Sequence, residues 1–552
     1  MGDSKVYDFI IVGAGTAGCM IAARLAAKQP TAKILLVEAG PDTSERNWQA
    51  ESRGYEHKYA DLDYNYKTTP QVGLGNRAIP YARGKGLGGS STLNRLIWTI
   101  GGQDDYNHWA DVVGDPAWRW ESVLEKYKQI IKLHDGLPDG FDGSVEAPPV
   151  ITRASEYEGK LDVSLAPRWI PGTSEVIQAL LSAGISWNSD MNTGRPLGLG
   201  LVWNSTDKKT RATSYTAYLR DAASTPNLTI RTDSPVDRII LEDQKATGLE
   251  LRGGEKVHAT SEIILAGGAF NSPQLLLLSG IGPSAVLESA DIPTKVDLPG
   301  VGQNLGDHPR VHIIAVLNKD PSEIQEMISP DMFDTALIIW CQLPGIRETD
   351  EFKALAPEVQ KFITLPHNPT CEIYMYHKTI MPHPNDPSIK LLNIMIANMN
   401  VQAKGSISLN SPDPQANPTI NPNLLGHAFD RRVMIEGVKE AMRLLTDSPL
   451  KSRIQLIFRG PASTDDADIE AFVSQWADTT WHASGTVKMG VSGGDDGDVC
   501  VGSDFVVKGV RGLRVADLSV YPFVPNAHTQ AAACLIGWVA AEKISSDFAK
   551  RI

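Results

Sequence analysis

The chain has 552 residues, more than one hydrophobic core usually supports, so two domains are expected. Hydrophobic residues make up 42% and charged residues 21%, as in globular proteins, and no apolar run approaches the roughly eighteen residues of a membrane span. The formal net charge of -13 is not offset by any basic block, which argues against nucleic acid and membranes as partners. Five cysteines without CxxC spacing predict neither a metal site nor a disulfide framework.

The first elements along the chain have the pattern of a βαβ unit. Residues 8–12 are an apolar run that ends at a glycine, residues 18–28 are alanine-rich like a helix, and residues 33–38 have the pattern of a second strand. Strands that are apolar throughout are buried on both faces, which predicts a parallel sheet. Residues 1–7 are polar and lack the ordered regions of a signal peptide, so an intracellular location is expected.

A glycine-rich turn joins the first strand to the helix. Its sequence, Gly13-Ala14-Gly15-Thr16-Ala17-Gly18, lets the backbone approach a pyrophosphate and points the amides of the helix N-terminus at it. Glu38, twenty residues after Gly18, is placed to accept a hydrogen bond from a ribose hydroxyl, and a carboxylate there disfavours a 2′-phosphate. These residues predict a dinucleotide site that fits FAD and NAD equally.

Later elements come from distant parts of the chain. Further strands of the buried type are expected at residues 262–266 and 513–515, so the dinucleotide domain is predicted to be discontinuous. The stretch from 311 to 471 differs, with proline-rich loops and strand-like runs at 373–376, 390–397 and 405–409 that are typical of a mostly antiparallel sheet. Apolar residues at helical spacing predict structural helices at 120–135 and 430–447.

Two segments resemble the paired signatures of the glucose-methanol-choline (GMC) oxidoreductases. They are Arg83-Gly84-Lys85-Gly86-Leu87-Gly88-Gly89-Ser90-Ser91-Thr92-Leu93-Asn94 and residues 268–282. The likeness continues at residues 302–308 and through 478–541, so it spans nearly the whole chain. The resemblance implies that the dinucleotide is FAD.

The resemblance also implies a fold class and a domain division. The expected class is α/β (α+β overall), with a Rossmann-type FAD-binding domain assembled from discontinuous segments and a substrate domain with a mostly antiparallel sheet. The FAD-binding domain is assigned to residues 1–155, 220–310 and 475–552, and the substrate domain to residues 156–219 and 311–474.

The cofactor contacts carried over from the family fall on four segments. Arg83, Gly88, Gly89, Ser90 and Asn94 would lie along the flavin, Asp517 with Ala516 near its phosphate and ribitol, Val236 at the adenine, and Thr529 and Gln530 at the start of a helix over residues 530–543. The dipole of that helix would stabilise negative charge on the reduced ring. Members with covalent flavin carry a histidine where this chain has Leu93, so non-covalent FAD is expected.

His482 and His528 are similar to the active-site pair of the family. A neutral imidazole suits removal of a hydroxyl proton, so His482 is expected to be the base. His528 would hydrogen-bond the alkoxide oxygen and orient it while hydride passes to the flavin. His308, inside a matched segment, is expected to have a structural role in a turn.

The substrate is expected to be a primary alcohol with an apolar or aromatic body. Trp481 would form part of the pocket wall, and Tyr66, Trp98 and Trp340 are further candidates. Sugar oxidases of the family tend to place an arginine where this chain has Asp478, and the context of His528 looks most like the aryl-alcohol oxidases. Oxygen or another acceptor would reoxidise the flavin. A non-redox lyase or cyclase, a light-driven decarboxylase and a flavoprotein without turnover remain alternatives on the same scaffold.

Overall fold

The computed structural model describes residues 6–46, 48, 60–170, 172–318, 335–376, 391–494 and 497–550. Two seven-stranded sheets dominate this part of the chain. The strands of the first sheet, in spatial order, are Leu228–Arg231, Ile34–Val37, Val6–Val12, Lys256–Leu265, Lys245–Leu251 and Val236–Glu242, with Leu513–Val515 also paired to Lys256–Leu265.

The first sheet has a parallel centre and an antiparallel edge. Val6–Val12 pairs in parallel with Ile34–Val37 and with Lys256–Leu265, and its residues Phe9 to Ile11 are fully buried. Leu513–Val515 joins in parallel from the far end of the chain, which confirms the expected assembly from discontinuous segments. The antiparallel ribbon of Lys245–Leu251 and Val236–Glu242 extends one edge and was not foreseen.

The second sheet is antiparallel throughout its described pairings, as expected. In spatial order its strands are Ile454–Arg459, Pro309–Leu317, Leu391–Asn398, Cys371–Tyr376, Leu337–Cys341 and Gly198–Leu201, with Asp478–Thr479 also paired to Pro309–Leu317. The strand expected at 405–409 is shorter, Ser406–Ser408, and lies outside this sheet. It pairs with Thr419–Asn421 in a separate two-stranded ribbon.

Shorter strands and the helices complete the described fold. The remaining strands are Tyr66–Lys67 with Pro80–Tyr81, Ile281–Gly282 with Val296–Asp297, and a four-stranded sheet of Ile97–Trp98, Trp203–Asn204, Leu161–Leu165 and Ile131–Leu133. The α-helices are Thr16–Lys28, Gln103–Val113, Trp120–Ile130, Thr173–Ser182, Arg220–Ala222, Gly268–Leu278, Ser284–Ser289, Asp350–Lys353, Pro357–Ile363, Ala428–Thr446, Asp466–Trp476 and Thr529–Ala549.

Two helices differ from their predicted bounds for local reasons. The helix expected at 120–135 ends at Ile130, because Ile131–Leu133 pairs as a strand with Leu161–Leu165. The helix expected at 430–447 begins earlier, at Ala428, where the His427 side chain accepts a hydrogen bond from the first turn. Among the described helices, none is both long and apolar enough to cross a membrane.

The helix that follows the glycine turn packs against the C-terminal helix. Thr16–Lys28 and Thr529–Ala549 meet at Gly537, where a Cβ atom would lie 2.7 Å from the backbone oxygen of Ala17. This close approach needs a glycine. It holds the two helices side by side, and both begin at the cavity described below.

Arg514 ties the last strand of the first sheet to two carboxylates. Its guanidinium binds the buried Glu262 at 2.7 and 3.0 Å and reaches Asp547 at 3.0 Å. We expect Arg514→Met to lower the free energy of unfolding by about 3–5 kcal/mol, because it removes the guanidinium that binds the buried Glu262 carboxylate through two hydrogen bonds. Chemical denaturation measures this. Lys160→Met, which breaks the exposed pair with Asp221, is the control and should cost about 1 kcal/mol or less; an equal cost for both would contradict the prediction.

Candidate active site

A cavity of about 620 Å³ lies between the carboxyl end of the first sheet and one face of the second, and we call it the central cavity. Most of the residues predicted from the sequence lie on its wall. These are Gly13, Gly15, Thr16, Ala17, Glu38, Arg83, Gly89, Ser90, Asn94, Val236, Asp517, Thr529 and Gln530, together with Trp481, His482 and His528. Gly18, Gly88 and Ala516 are not on the wall.

The glycine turn closes against its neighbours so tightly that side chains are excluded. Gly13 has a φ of +99°, and a Cβ there would lie 2.7 Å from the Ala266 oxygen. A Cβ on Gly18 would lie 1.9 Å from the Gly13 oxygen, so Gly18 acts by packing the helix onto the turn. The helix Thr16–Lys28 has no side-chain cap, which leaves its first amides for an anionic group in the central cavity.

Glu38 joins the glycine turn to the segment of residues 83–94. Its carboxylate accepts hydrogen bonds from the backbone amides of Ala14 at 2.7 Å, Gly40 at 2.9 Å and Gly86 at 2.8 Å. Burial raises the pKa of Glu38. The Glu38 side chain lies on the wall of the central cavity, where a ligand hydroxyl can reach it.

Gly88 and Ala516 position the wall without forming it. The Gly88 amide donates to the Ala14 oxygen at 2.8 Å and so fastens the segment of residues 83–94 to the glycine turn. The Ala516 amide donates to the Leu265 oxygen at 2.8 Å, which extends the last parallel strand up to Asp517.

Asp517 is held by the helix Gly268–Leu278. Its carboxylate accepts hydrogen bonds from the Gly268 amide at 2.8 Å and from the Ser272 hydroxyl at 2.6 Å. It also accepts one from the Ser519 amide, two residues further along the chain, at 2.8 Å. Burial raises the pKa of Asp517. These bonds place the Asp517 carboxylate on the cavity wall, where it caps the N-terminus of this helix.

Asn94 and Gln530 form a polar pair at the start of the C-terminal helix. The Asn94 amide donates to Gln530 Oε1 at 2.7 Å, and the buried Arg211 donates to both oxygens of Asn94 at 2.7 Å. Gln530 Nε2 is buried without a hydrogen-bond partner among the described residues, although Gln530 lies on the cavity wall. An unused donor of this kind fits a ligand with acceptor atoms.

His482 is fixed by two residues that precede the strand Pro309–Leu317. Its backbone amide donates to Asp307 Oδ1 at 2.8 Å, and its Nδ1 lies 2.9 Å from Nδ1 of His308. Because one ring nitrogen is engaged in this way, Nε2 is the nitrogen available to a ligand. Burial, with the charges of His528, His308, Arg83 and Arg310, holds the pKa of His482 well below 6.5.

The role expected for His308 therefore needs correction. His308 lies directly before the strand Pro309–Leu317, and its role is not confined to a turn. Its ring contacts the ring of His482 edge to face, with 5.1 Å between centroids. Burial lowers the pKa of His308 to about 3, so it is a neutral hydrogen-bond partner. Asp307 beside it also accepts from the Tyr81 hydroxyl at 2.7 Å and from Thr479 Oγ1.

His528 is paired with a buried carboxylate that sequence reasoning missed. Its Nε2 lies 3.0 and 3.1 Å from the two oxygens of Glu372, which is 1% exposed. Its backbone amide donates to Thr99 Oγ1 at 2.8 Å. The signal available in the sequence was a single glutamate inside the apolar strand Cys371–Tyr376. The rings of His528 and His482 lie 4.9 Å apart at 77°, so the structure brings the predicted pair together.

The wall at the histidine end differs in part from the aromatic residues expected. Trp481 and Tyr66 lie on it, but Trp98 and Trp340 do not. Trp98 is fully buried against Tyr127, and Trp340 lies behind His528 with 6.5 Å between ring centroids. The second sheet instead contributes five residues that were not predicted: Arg310, His312, Tyr374, Tyr376 and Met395.

The geometry defines the class of protein. A glycine turn with an uncapped helix and an acidic residue at one end, and two imidazoles at the other end of the same cavity, are the parts of a dinucleotide-dependent oxidoreductase. Comparison with known proteins gives the family. The N-terminal profile of the GMC oxidoreductases matches residues 7–310 and the C-terminal profile matches residues 401–537. The chain belongs to the GMC oxidoreductase family.

Individual relatives cover nearly the whole chain. Pyranose dehydrogenase 3 of Leucoagaricus meleagris is 31% identical over 560 residues, covering 95% of this chain and 90% of its own. The alcohol dehydrogenase [acceptor] of Pseudomonas putida is 30% identical over 554 residues, covering 98% and 96%. The structure of pyridoxine 4-oxidase from Mesorbium loti superposes with a TM-score of 0.81 at 25% identity, covering 97% and 99%. Together with the profiles, these relatives make the chain an oxidoreductase that acts on alcohols.

The flavoproteins of this family bind FAD, and the central cavity fits that group. The glycine turn and the uncapped helix beside it suit a pyrophosphate, and the Glu38 carboxylate lies on the same wall, where a ribose hydroxyl can reach it. Beside His528, the buried Gln530 donor on the cavity wall suits a flat polar ring with acceptor atoms.

Proposed function

We propose that this protein oxidises a primary alcohol with an apolar or aromatic body to the aldehyde. The observation that carries the proposal is the pair of imidazoles, 4.9 Å apart, at the end of a cavity built for a dinucleotide. The aromatic wall residues Trp481, Tyr374 and Tyr376 favour such a body. Among the relatives, the structural neighbour is named for pyridoxine, which agrees with an aromatic alcohol.

His482 is the base in this proposal. Its neutral ring offers Nε2 to the substrate hydroxyl, while Nδ1 is held by His308. Transfer of the hydroxyl proton to Nε2 leaves the alkoxide oxygen beside His528. Glu372 holds His528 through Nε2, which leaves Nδ1 to hydrogen-bond that oxygen and orient it. When bound, FAD would supply the acceptor for the hydride, the hydrogen with two electrons, that leaves the alcohol carbon.

The attachment of FAD is proposed to be non-covalent. Leu93 lies on the cavity wall at the place where covalently flavinylated members carry a histidine, and a leucine side chain has no nucleophilic atom. Acid precipitation of the holoenzyme tests this directly. All flavin absorbance should stay in the supernatant, whereas flavin retained in the protein pellet would contradict the proposal.

Anaerobic reduction of the purified yellow protein tests the reaction. We expect the flavin absorbance near its visible maximum to bleach with benzyl alcohol and its ring-substituted analogues, and to bleach far more slowly with sugars. Admission of air then tests the acceptor, because fast recovery of colour identifies oxygen and slow recovery identifies another acceptor. Absence of bleaching with every alcohol in the panel would overturn the proposed reaction and favour non-redox chemistry.

The dependence of flavin reduction on pH follows from the buried base. His482 stays neutral as the pH falls through 6.5, because its pKa lies well below that value. We therefore expect the rate constant of anaerobic flavin reduction to stay level across pH 6.5 and to decline at considerably lower pH, where Nε2 becomes protonated. Stopped-flow measurement over a pH series checks this. An acid limb centred at or above pH 6.5 would contradict it.

A further inference from the structure

We propose that Arg310 binds a carboxylate on the substrate, so that the preferred alcohol is a hydroxyl-bearing organic acid. This inference rests on the proposed alcohol oxidation and names the substrate class within it. Arg310 lies on the strand Pro309–Leu317 of the second sheet, is 7% exposed and forms part of the cavity wall.

The hydrogen-bond donors of Arg310 are almost unused. Nη1 has the Met395 sulfur at 4.0 Å, and Nη2 lies 3.9 Å from Asp478 Oδ2, which is beyond hydrogen-bond distance. Nε is buried and has no partner in the described part of the chain. A buried guanidinium without oxygen acceptors is unfavourable, and an acceptor that arrives with the ligand would remove that cost.

Trp481 contacts the Arg310 guanidinium without accepting a hydrogen bond from it. The guanidinium carbon of Arg310 lies 4.4 Å from the centre of the Trp481 ring, which is a cation–π contact. The N–H groups point along the guanidinium plane and stay available for a planar acceptor. Because Trp481 directly precedes His482, the proposed carboxylate site and the proposed base share one end of the central cavity.

Charged groups of both signs surround Arg310. Arg95 adds positive charge on the wall of the central cavity, while Asp478 and Asp307, which are not on that wall, add negative charge. His312, the next wall residue on the strand, adds none, because burial lowers its pKa to about 3. A guanidinium edge matches a carboxylate in two parallel hydrogen bonds, whereas the nearby Asp478 disfavours a dianion such as a phosphate monoester.

The body of the proposed substrate would lie against the remaining wall. Tyr374, Tyr376 and Met395 belong to the same face of the second sheet as Arg310, since register pairs Met395 with both His312 and Tyr374. This surface is aromatic and apolar. It suits an aryl or alkyl group that carries the hydroxyl towards His482 and the carboxylate towards Arg310.

The first measurement uses a ligand that cannot be oxidised. We expect 4-methylbenzoate to bind the oxidised wild-type holoenzyme in isothermal titration calorimetry and to bind Arg310→Met roughly thirtyfold more weakly or worse. Arg459→Met is the matched control. Arg459 lies on the neighbouring strand and contacts Trp476 at 4.2 Å, away from the central cavity, so this change should leave 4-methylbenzoate binding unaltered.

The second measurement compares 4-(hydroxymethyl)benzoate with its methyl ester. In the wild-type enzyme the acid should have a KM roughly tenfold or more below that of the ester. Arg310→Met should raise the KM of the acid roughly thirtyfold and change the KM of the ester by less than about threefold. The wild-type comparison needs no variant, so it decides the matter even if Arg310→Met fails to fold.

Three results would overturn the proposal. They are a lower KM for the ester than for the acid, no binding of 4-methylbenzoate to the wild type, or equal binding to Arg310→Met with its flavin and thermal unfolding intact. The two binding results are independent of the reaction itself. Binding of 4-methylbenzoate that depends on Arg310, without oxidation of any alcohol, would support the carboxylate site and overturn alcohol oxidation. Oxidation of neutral alcohols without preference for the acid would support alcohol oxidation and overturn the carboxylate site.

Discussion

Replacement of His482 by alanine is expected to lower kcat for alcohol oxidation by a factor of roughly 10² to 10⁴, the usual contribution of a positioned general base. The variant removes the imidazole nitrogen that would take the hydroxyl proton. It also removes the partner of His308 Nδ1, a bond of 2.9 Å. Steady-state oxidation at saturating alcohol measures the loss, and the acid limb of the wild-type pH profile should disappear with it.

His134→Ala is the matched control for this variant. His134 also has a ring nitrogen engaged, at 2.7 Å from Asp162, but lies away from the central cavity. Its removal should leave kcat unchanged. The assignment of the base would be wrong if His482→Ala kept more than about a tenth of wild-type kcat while binding FAD normally.

Gly18→Ala is expected to give a protein that purifies without FAD. A single added Cβ would lie 1.9 Å from the Gly13 oxygen and 3.2 Å from the Ala266 Cβ, so the helix must move away from the turn. That movement separates the helix amides from the place of the pyrophosphate. The ratio of visible to ultraviolet absorbance of the purified protein measures bound flavin, and circular dichroism tests whether the fold persists.

Gly497→Ala is the control for the glycine turn. An added Cβ at Gly497 meets no atom of the described residues within 4 Å, and Gly497 is not on the wall of the central cavity. This variant should purify with full flavin content. Gly18→Ala protein that is equally yellow would contradict the proposed role of the turn.

Local patterns in the sequence were sufficient to predict the residues at the cofactor end of the site. The glycine turn, Glu38 and the segment of residues 83–94 are contiguous or joined by one βαβ unit, and the backbone geometry they require is local. The same holds for the predicted strands at 262–266 and 513–515, because full burial marks such strands in their composition. Resemblance to the family then supplied His482 and His528, which no spacing rule would have paired.

The substrate end could not be predicted in the same way. Glu372 and Arg310 reach the site through the register of the antiparallel second sheet, and register depends on which strands pair. His308 reaches it from the residue directly before one of these strands. Trp98 and Trp340 were expected on the cavity wall because aromatic residues often line pockets. Packing instead places both of them behind the wall.

The sequence by itself determined that the chain holds a dinucleotide through a glycine turn and carries the histidine pair of one enzyme family. Tertiary structure alone decided which groups surround those histidines: a carboxylate behind His528, a neutral imidazole behind His482, and a buried guanidinium across from them. The physical reason is that a glycine turn is specified by its own backbone conformation. The role of a buried charge, in contrast, depends on the groups around it, and folding brings those groups together from positions hundreds of residues apart in the sequence.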